Sequence, residues 1–553
     1  MKLELLEKIK AAHTIPDVPE NRIKSEFSNI GELLEFQTKR TPSEKFLSFY
    51  VKGEEFKSFT YEEFWKSVKK YSAYLQSIGI GKEDRIVSFS RNHYSTVLLY
   101  FAAWTIGATV VPINVEEDLT RIAYIIENSN ARVLFTITDY LDKIYSLNGK
   151  INIKIIVFSE NLFSEIPESF PHNNFVIQDT EALIVYTSGT TGNPKGVVLT
   201  QGNLLVDSKA IAKWHKIFQG DAMMCVLPLH HVNGTVVTLL TPLYANGRIV
   251  LNDGFHLHSF FQTIERESVK IVSVVPTLLQ YLLHSDVNIK DYNLSSFSHF
   301  ICGAGPLTCE LASNFENKFG FRIVHGYGLS ETTCYSCFIP IDLNMEEHKK
   351  WQNEFGFPSI GIPLECNEMD IHNANGESLN EGERGEIVIR GYNVMKYYFN
   401  NVIANENAFT YGWFRSGDEG FYKKDSKGNK YFFITGRIKE LIIRGGVNIS
   451  PLEIDEVLMS IEEVKSGIAV GFENVWYGEE VGAAVIIKDN YKNVNLEKIK
   501  QNIIEKCRQK LPFYKTPKVV FIVEQLPVTS TGKFQRTKLT HLFVDYKNKQ
   551  FTK

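Results

Sequence analysis

Short apolar runs alternate with longer amphipathic stretches along the chain up to about residue 435. Runs such as Arg85–Ser90 and Ala222–Leu227 have the length and apolar content of buried strands, whereas Tyr61–Ile78 and Gln201–His215 repeat apolar residues at helical spacing. This alternation predicts parallel sheets covered by helices. Further predicted strands are Thr109–Asn114, Val133–Thr138, Ile155–Phe158, Ile271–Val275 and Arg322–Val324, and further predicted helices are Asp118–Asn128 and Phe255–Glu267.

The pattern changes after about Asp370. Ile387–Arg390, Gly420–Lys424 and Tyr431–Thr435 are separated by turn signals, which predicts an antiparallel, barrel-like piece over about residues 370–437. The last block follows a third pattern and predicts a small α+β domain. Its predicted helices are Pro451–Ser460 and Leu496–Lys510, and its predicted strands are Gly467–Val470, Ala483–Ile487 and Val519–Val523. The expected fold class is therefore α/β, with a large N-terminal domain of helix-wrapped sheets and a smaller C-terminal domain.

The longest apolar stretch, Ser95–Asn114, contains Thr105, Gly107, Thr109 and Pro112. We interpret it as a buried helix that turns into a buried strand, and we predict no membrane span. The N-terminal residues lack an uninterrupted apolar core, so no secretory signal is predicted.

Composition narrows the class of partner. The chain has 553 residues with 60 Lys+Arg and 64 Asp+Glu, a net charge of −4, so no overall basic field would attract nucleic acid. Seven cysteines are few for this length, and the Cys334-Tyr-Ser-Cys337 pair has no second pair to complete a zinc site. We therefore expect reduced, buried thiols and a cytoplasmic location.

The segment Thr187–Gly196 follows a predicted strand and combines glycines, hydroxyl side chains and Lys195. Glycines free backbone N–H groups to converge, hydroxyls add donors, and the lysine adds positive charge, so the segment predicts a phosphate cradle. It is not a Walker A loop, because Lys195 precedes a glycine and not a serine or threonine.

Four other segments carry groups suited to nucleotide chemistry, and each alone is also compatible with an ordinary turn or surface charge. His325-Gly-Tyr-Gly-Leu-Ser-Glu331 offers an aromatic ring, a hydroxyl and a carboxylate. Asp418 could accept two hydrogen bonds from a ribose. Arg437 and Lys439 flank the predicted domain boundary ahead of a double glycine, and Lys533 follows Ser-Thr-Gly near the C-terminus.

Taken together, and in this order, these segments resemble the adenylate-forming superfamily, most closely its acyl- and aryl-CoA synthetases, such as fatty-acid–CoA ligases. The resemblance is carried by YTSGTTGNPKG, GYGLSETT, GWFRSGD, GRIKELIIRGG and STGK, and extends from about Glu32 to Lys538. It implies a domain of residues 1–437 that binds ATP and a carboxylic acid. It also implies a mobile lid of residues 438–553, with its hinge near Lys439.

The resemblance also implies residue roles, with ATP, Mg²⁺ and coenzyme A as the bound species. The phosphate-binding residues would be Thr187, Ser188, Gly189, Thr190, Thr191, Gly192 and Lys195. Tyr327 would stack on adenine beside Gly328, Ser330 would contact a phosphate, Glu331 would bind magnesium, and Asp418 and Arg437 would contact the ribose. Lys439 would be the hinge, Lys533 the catalytic lysine of acid activation, and Gly445 and Gly446 part of the coenzyme A channel.

The acid and the acceptor are less constrained. His231 stands where amino-acid-activating relatives have an aspartate, which disfavours an α-amino acid. Small residues at Gly303, Ala304 and Gly305 leave room for an acyl chain or ring, while His325 replaces a more usual Gln or Asn. We expect coenzyme A as acceptor, with the phosphopantetheine of a carrier protein as the alternative and an inactive nucleotide-binding scaffold as a remote one. The protein is expected to be a monomer or a homodimer.

Overall fold

The structure is a computed structural model, and it describes residues 3–147, 149–159, 176–187, 193–492, 494–528 and 534–552. Its helices are α1 (Leu3–Ala12), α2 (Glu20–Ile23), α3 (Ile30–Arg40), α4 (Tyr61–Ser77), α5 (Tyr94–Ile106), α6 (Leu119–Ser129), α7 (Leu141–Tyr145), α8 (Gln201–Trp214), α9 (Thr241–Tyr244), α10 (Phe260–Arg266), α11 (Pro276–Leu283), α12 (Cys309–Phe319), α13 (Met345–Asn353), α14 (Val402–Ala408), α15 (Pro451–Met459) and α16 (Leu496–Lys510). Its strands are β1 (Lys45–Val51), β2 (Glu54–Thr60), β3 (Arg85–Phe89), β4 (Thr109–Pro112), β5 (Val133–Thr136), β6 (Lys154–Val157), β7 (Glu181–Thr187), β8 (Lys195–Thr200), β9 (Ala222–Cys225), β10 (Arg248–Asn252), β11 (Val269–Val274), β12 (His299–Cys302), β13 (Arg322–Tyr327), β14 (Cys337–Phe338), β15 (Ile362–Pro363), β16 (Asn367–His372), β17 (Gly385–Gly391), β18 (Tyr397–Tyr398), β19 (Phe414–Lys424), β20 (Lys430–Arg437), β21 (Ile442–Arg444), β22 (Val447–Ile449), β23 (Val464–Asn474), β24 (Gly478–Ile487) and β25 (Val519–Ile522).

Two large sheets form the body of the protein. One has nine strands in the order β15-β14-β13-β12-β11-β9-β10-β1-β2, and the other has seven in the order β18-β8-β7-β4-β3-β5-β6. The central strands of both sheets are parallel, as the alternating sequence pattern predicts. Parallel sheets need cover on both faces, and helices such as α5 and α8 supply it.

Helix α5 shows why the apolar stretch beginning at Ser95 does not mark a membrane span. Every residue from Ser95 to Ile106 is buried, so the helix is apolar all round because it lies between other elements. Gly107 ends it in the left-handed conformation and leads into β4. Among the described residues, no helix is both long enough and apolar enough to cross a membrane.

The predicted barrel-like piece is a four-stranded antiparallel sheet in the order β16-β17-β19-β20. Helix α13 packs against it: the Trp351 ring lies on the Tyr431 ring with centroids 3.8 Å apart and planes 2° apart. Apart from Trp351 and the exposed Met345 the helix is polar, so its sequence shows little apolar periodicity.

The C-terminal part is a five-stranded sheet, β22-β21-β24-β23 with β25 beside β24, covered by α15 and α16. A short 3₁₀ turn, Ile438–Glu440, joins it to β20. Lys439 is exposed in this turn. The predicted strands and helices of this part are confirmed, with β23 and β24 longer than expected.

Candidate active site

The two described ends of the glycine-rich loop lie side by side. Thr187 ends β7 and Lys195 begins β8, and the two residues are direct partners in the antiparallel pair. Ser188, Gly189, Thr190, Thr191 and Gly192 lie outside the described residues. The hairpin therefore places Lys195 at the end of the β7–β8 strand pair, where the glycine-rich loop connects the two strands.

Lys195 lies among several charged groups. Its Nζ atom is 4.4 Å from the centre of the Tyr398 ring, a cation–π contact. Burial lowers the pKa of Lys195. The negative charge of Glu331 raises this pKa, and the positive charges of Lys439 and Arg437 lower it further. Three cationic side chains and one carboxylate thus interact electrostatically here. Such a cluster of positive charge suits the binding of an anionic polyphosphate.

Glu331 lies in the 3₁₀ turn Ser330–Thr332 that follows β13. Its Oε1 atom accepts a hydrogen bond from the Tyr398 hydroxyl at 2.7 Å, and its backbone carbonyl accepts one from Met395 N–H at 2.7 Å. The next residue but one, Thr333, has φ of +64°, which is a strained value for a β-branched residue. Strain of this kind persists only where neighbours hold it, and the Thr333 hydroxyl donates to the Asn393 carbonyl at 2.6 Å.

The donor set at Glu331 fits Mg²⁺ bound together with a nucleotide. Mg²⁺ commonly takes one or two carboxylates from the protein and the rest of its ligands from phosphates and water. Among the described residues, no group of three or more His, Cys, Asp or Glu side chains could hold a metal ion by itself. Glu331 is 9% exposed, so its carboxylate is held in place and still reachable.

Asp418, Arg437 and Tyr327 form a second polar cluster. Asp418 on β19 and Arg437 on β20 are cross-strand partners, and Arg437 Nε lies 2.7 Å from Asp418 Oδ1. The Tyr327 hydroxyl donates to Asp418 Oδ2 at 2.6 Å. Burial and the adjacent Asp418 raise the pKa of Tyr327 well above its ordinary value, so the phenol stays a neutral donor. A carboxylate can accept about four hydrogen bonds, which leaves capacity for ribose hydroxyls.

Gly328, between Tyr327 and Glu331, lies where only glycine fits. A Cβ atom there would be 1.9 Å from the Cys334 carbonyl oxygen. The close approach of the two backbone segments lets the motif fold back on itself.

His231 follows β9 in a loop that Asn92 holds. The Asn92 side chain donates to the Leu227 carbonyl at 3.0 Å and accepts from Leu229 N–H at 2.8 Å. Immediately afterwards, Asn233–Leu240 forms a π-helix, a wide turn that is often found at functional sites.

His325, within β13, is buried, and burial lowers its pKa to about 4. Its Nδ1 atom lies 3.0 Å from the Ser359 carbonyl oxygen, which can only accept, so Nδ1 carries the proton and Nε2 keeps a lone pair. Ala304, in the Gly303–Gly305 segment nearby, has φ of +62°, a second strained non-glycine residue.

A cleft that is partly open to solvent lies between the body and the C-terminal part. The body contributes Gly305, His325 and Pro276, and the C-terminal part contributes Glu456 and Phe534. Lys533 lies outside the described residues, but its neighbour Phe534 lines this cleft. Gly445 and Gly446 form the exposed turn between β21 and β22 and are not among the residues lining the cleft.

Comparison with known proteins identifies the family. Residues 34–399 match the model of the AMP-binding enzyme family, and residues 453–533 match the model of the AMP-binding enzyme C-terminal domain. The chain belongs to the AMP-binding enzyme family. It is 32% identical to a sulfoacetate–CoA ligase of Cupriavidus necator, over 83% of this chain and 88% of that protein. It is 31% identical to an oxalate–CoA ligase of Arabidopsis thaliana, over 93% of this chain and 99% of that protein.

Solved structures of this family have the same fold. The structure of o-succinylbenzoate coenzyme A synthetase from Bacillus subtilis, in complex with ATP and magnesium ion, matches with a TM-score of 0.79 and 27% identity, over 93% of this chain and 100% of that chain. The ATP-bound MatB structure from Rhodopseudomonas palustris has a TM-score of 0.83 at 23% identity, over 94% of this chain and 100% of that chain.

This AMP-binding enzyme is an acid–thiol ligase that forms AMP. It activates a carboxylic acid as an acyl-adenylate with release of pyrophosphate, then transfers the acyl group to the thiol of coenzyme A. The predicted superfamily, fold class and cosubstrates are confirmed, and loading of a carrier protein is not favoured. Its relatives include sulfoacetate–CoA and oxalate–CoA ligases and a feruloyl-CoA synthase, so a role in fatty acid metabolism, which the resemblance to fatty-acid–CoA ligases suggests, is more specific than the comparisons support.

Several residues of this AMP-binding enzyme that hold the site together were not anticipated from the sequence. Tyr398 touches both Lys195 and Glu331. Asp207, fully buried on α8, accepts hydrogen bonds from Asn393 Nδ2 at 2.9 Å and from Tyr335 N–H at 3.3 Å. None belongs to a recognisable motif. The one sequence signal of such a role was Asp207 itself, a single acidic residue on the apolar face of a helix.

Proposed function

We propose that acid activation takes place where the Lys195–Glu331 group, the Asp418–Arg437 pair and the cleft beside His325 meet. The observation that carries this proposal is the shared electrostatic environment of Lys195, Glu331, Arg437 and Lys439. Motifs far apart in the sequence come together there. The same arrangement supports a domain boundary near Lys439, with the body ending at Arg437.

In the first half-reaction, a carboxylate oxygen of the acid bonds to the α-phosphorus of ATP, and the bond to the bridging oxygen breaks to release pyrophosphate. Both reactants are anionic, so the site must offset their repulsion. Lys195 and the adjoining loop hold the phosphates, Asp418 and Arg437 orient the ribose, and Lys533 stabilises the charge that develops. Mg²⁺, which Glu331 would hold, neutralises part of the phosphate charge when bound.

In the second half-reaction, the coenzyme A thiol sulfur bonds to the acyl carbon, and the bond from that carbon to the AMP oxygen breaks. We assign Lys439 as the hinge about which the lid turns between the steps. Two observations support this: the residue is exposed in a short 3₁₀ turn, and the Gly445–Gly446 turn lies away from the cleft in this lid position. Rotation would withdraw Lys533 and bring that turn to the thioester site.

A cytoplasmic location is part of the proposal. All seven cysteines are free thiols in the structure, and six are buried. Burial raises the pKa of the Cys334 and Cys337 thiols, which keeps them protonated and unreactive. Unpaired thiols fit a reducing compartment.

The test is acid-dependent exchange of pyrophosphate into ATP over a panel of carboxylic acids. It is followed by assays for AMP and acyl-CoA with free coenzyme A. We expect exchange with at least one acid, and thioester formation from the same acid. Exchange without any thioester would refute the assigned acceptor, and no exchange with any acid would refute the proposed site.

A further inference from the structure

The space beside Gly303 is filled by the side chain of Tyr335. A Cβ atom at Gly303 would lie 2.6 Å from the Tyr335 hydroxyl oxygen and 2.8 Å from its Cε1 atom, and a Cβ atom at Gly326 would lie 2.9 Å from Tyr335 Cδ1. Real side chains essentially never approach so closely. The sequence suggested that small residues here leave room for an acyl chain or ring. In the structure, the room at Gly303 holds the phenol of Tyr335.

The position of this phenol matters because of the elements around it. Gly303 follows β12 and Gly326 lies near the end of β13, so the ring covers the carboxyl ends of two parallel strands, where ligands of α/β sheets bind. On its other side lies Asn233, the first residue of the π-helix, whose Nδ2 atom donates to the Tyr335 hydroxyl at 3.2 Å. The ring thus fills the gap between the sheet edge and the π-helix.

Tyr335 is also firmly held. Its backbone N–H donates to Asp207 at 3.3 Å, and its carbonyl accepts from Asn393 Nδ2 at 3.0 Å. Its ring packs on Phe338 with centroids 4.3 Å apart. Asp207 and Asn393 are themselves fully buried, so the backbone of Tyr335 is fixed from inside the protein. A substrate can displace the ring only by breaking its packing on Phe338 and the hydrogen bond between its hydroxyl and Asn233.

The gap would be unfavourable for an apolar chain even if the ring moved. Asn233 Oδ1 is buried and has no hydrogen-bond partner among the described residues. Hydrocarbon in place of the phenol would remove the hydrogen bond of Asn233 Nδ2 and leave the whole carboxamide unpaired, which is costly in a buried setting. The open cleft, in contrast, reaches Gly305 and His325, and neither Tyr335 nor Asn233 lines it.

We propose that Tyr335, backed by Asn233, occupies the space into which the acid pocket could otherwise extend, so that the enzyme activates short carboxylic acids and rejects long alkyl chains and substituted aromatic rings. This inference rests on the proposed function, because it assumes that the acid binds between His231, Gly305 and His325. Tyr335 determines specificity by occupying volume, and its hydroxyl contributes by keeping Asn233 hydrogen-bonded.

The test compares kcat/KM for pyrophosphate release with propionate, glycolate and oxalate as short acids, and octanoate and cinnamate as long ones. We expect the wild-type enzyme to prefer at least one short acid over both long acids by about 100-fold or more, since even one methylene that the pocket cannot accommodate costs about 10–200-fold. Tyr335→Ala should reduce this preference by about tenfold or more, by admitting the long acids. Tyr335→Phe keeps the ring and should retain most of the discrimination.

A wild-type enzyme that uses octanoate or cinnamate as well as every short acid would overturn the inference and leave the proposed function intact. Equal selectivity in the wild type and Tyr335→Ala would overturn it as well. If no acid supports pyrophosphate release in any variant, the proposed function itself fails. Thermal unfolding of each variant shows whether it is folded. Should Tyr335→Ala not fold, Tyr335→Val and the wild-type panel provide the same comparison.

Discussion

The hydroxyl of Tyr398 is the only protein hydrogen-bond donor that the structure places on the Glu331 carboxylate, within the described part of the chain. We expect Tyr398→Phe to weaken magnesium binding while leaving the fold intact, because the ring that packs under Lys195 remains. Tyr398 is 4% exposed, so water cannot readily replace the lost donor. Without it, the carboxylate is free to rotate away from the metal-binding orientation.

The magnitude follows from the geometry. A buried hydrogen bond of 2.7 Å to a charged acceptor contributes about 1.5–3 kcal/mol. At about 1.4 kcal/mol per decade, this corresponds to a change of about 10- to 100-fold. Partners that orient metal-binding carboxylates have effects of about this size, also 10–100-fold. We therefore expect the Mg²⁺ concentration for half-maximal activity to rise by about tenfold or more.

The assay is ATP–pyrophosphate exchange as a function of Mg²⁺ concentration at fixed free ATP. Tyr397→Phe is the matched control. The Tyr397 hydroxyl also donates to a carboxylate oxygen, Glu181 Oε1 at 2.5 Å. Tyr397 directly precedes Tyr398 in the chain but lies outside the site. The control should keep the wild-type Mg²⁺ dependence. An unchanged dependence in Tyr398→Phe, or the same shift in both variants, would refute the assigned role of Tyr398 in positioning Glu331.

Three further predictions concern the lid and the buried network. Lys533→Ala should lower adenylation by about 10²–10³-fold, while thioester formation from a supplied acyl-adenylate continues; equal loss of both half-reactions would contradict its role. Lys439→Pro should preserve adenylation and block thioester formation, and unchanged steady-state turnover would show that the hinge lies elsewhere. Burial raises the pKa of Asp207 from 3.8 to about 8, so the folded state holds a proton that the unfolded state releases. The stability that this bound proton on Asp207 contributes is fully present below pH 3.8 and is lost as the pH rises to about 8. Urea unfolding from pH 5 to 8 should show a shallower decline for Asp207→Asn than for the wild type, and parallel profiles would argue against a buried, protonated Asp207.

The sequence predicted best where information is local. Strand–helix alternation located β3, β9, α4 and α8 to within a few residues, because burial periodicity shows in short windows. The helix expected over Phe255–Glu267 is shorter: a 3₁₀ turn at Leu257–Ser259 precedes α10, which begins at Phe260. Boundaries of this kind depend on tertiary contacts that a local pattern does not contain.

The site itself divides in the same way. Motif residues such as Glu331 and Asp418 could be recognised because they belong to several segments, each suited to nucleotide chemistry, that occur in a fixed order along the chain. Tyr398 was not, since it reaches the site only through the antiparallel pairing of β18 with β8, far earlier in the chain. Tyr335 was not either, because the glycine that makes room for it precedes it by a full strand and helix. Both depend on long-range packing.

The π-helix at Asn233–Leu240 gives this enzyme an unusual route to new substrates. Its hydrogen bonds span five residues, one more than the i→i+4 bonds of an α-helix, and Thr241 N–H accordingly reaches back to the Val236 carbonyl. Deletion of a single residue within the segment would let its hydrogen bonds close at the i→i+4 spacing of an α-helix, and would shift Asn233, at its start, relative to Tyr335. In this chain, insertions and deletions, and not only substitutions, are a direct means by which evolution or a designer can reshape acid selectivity.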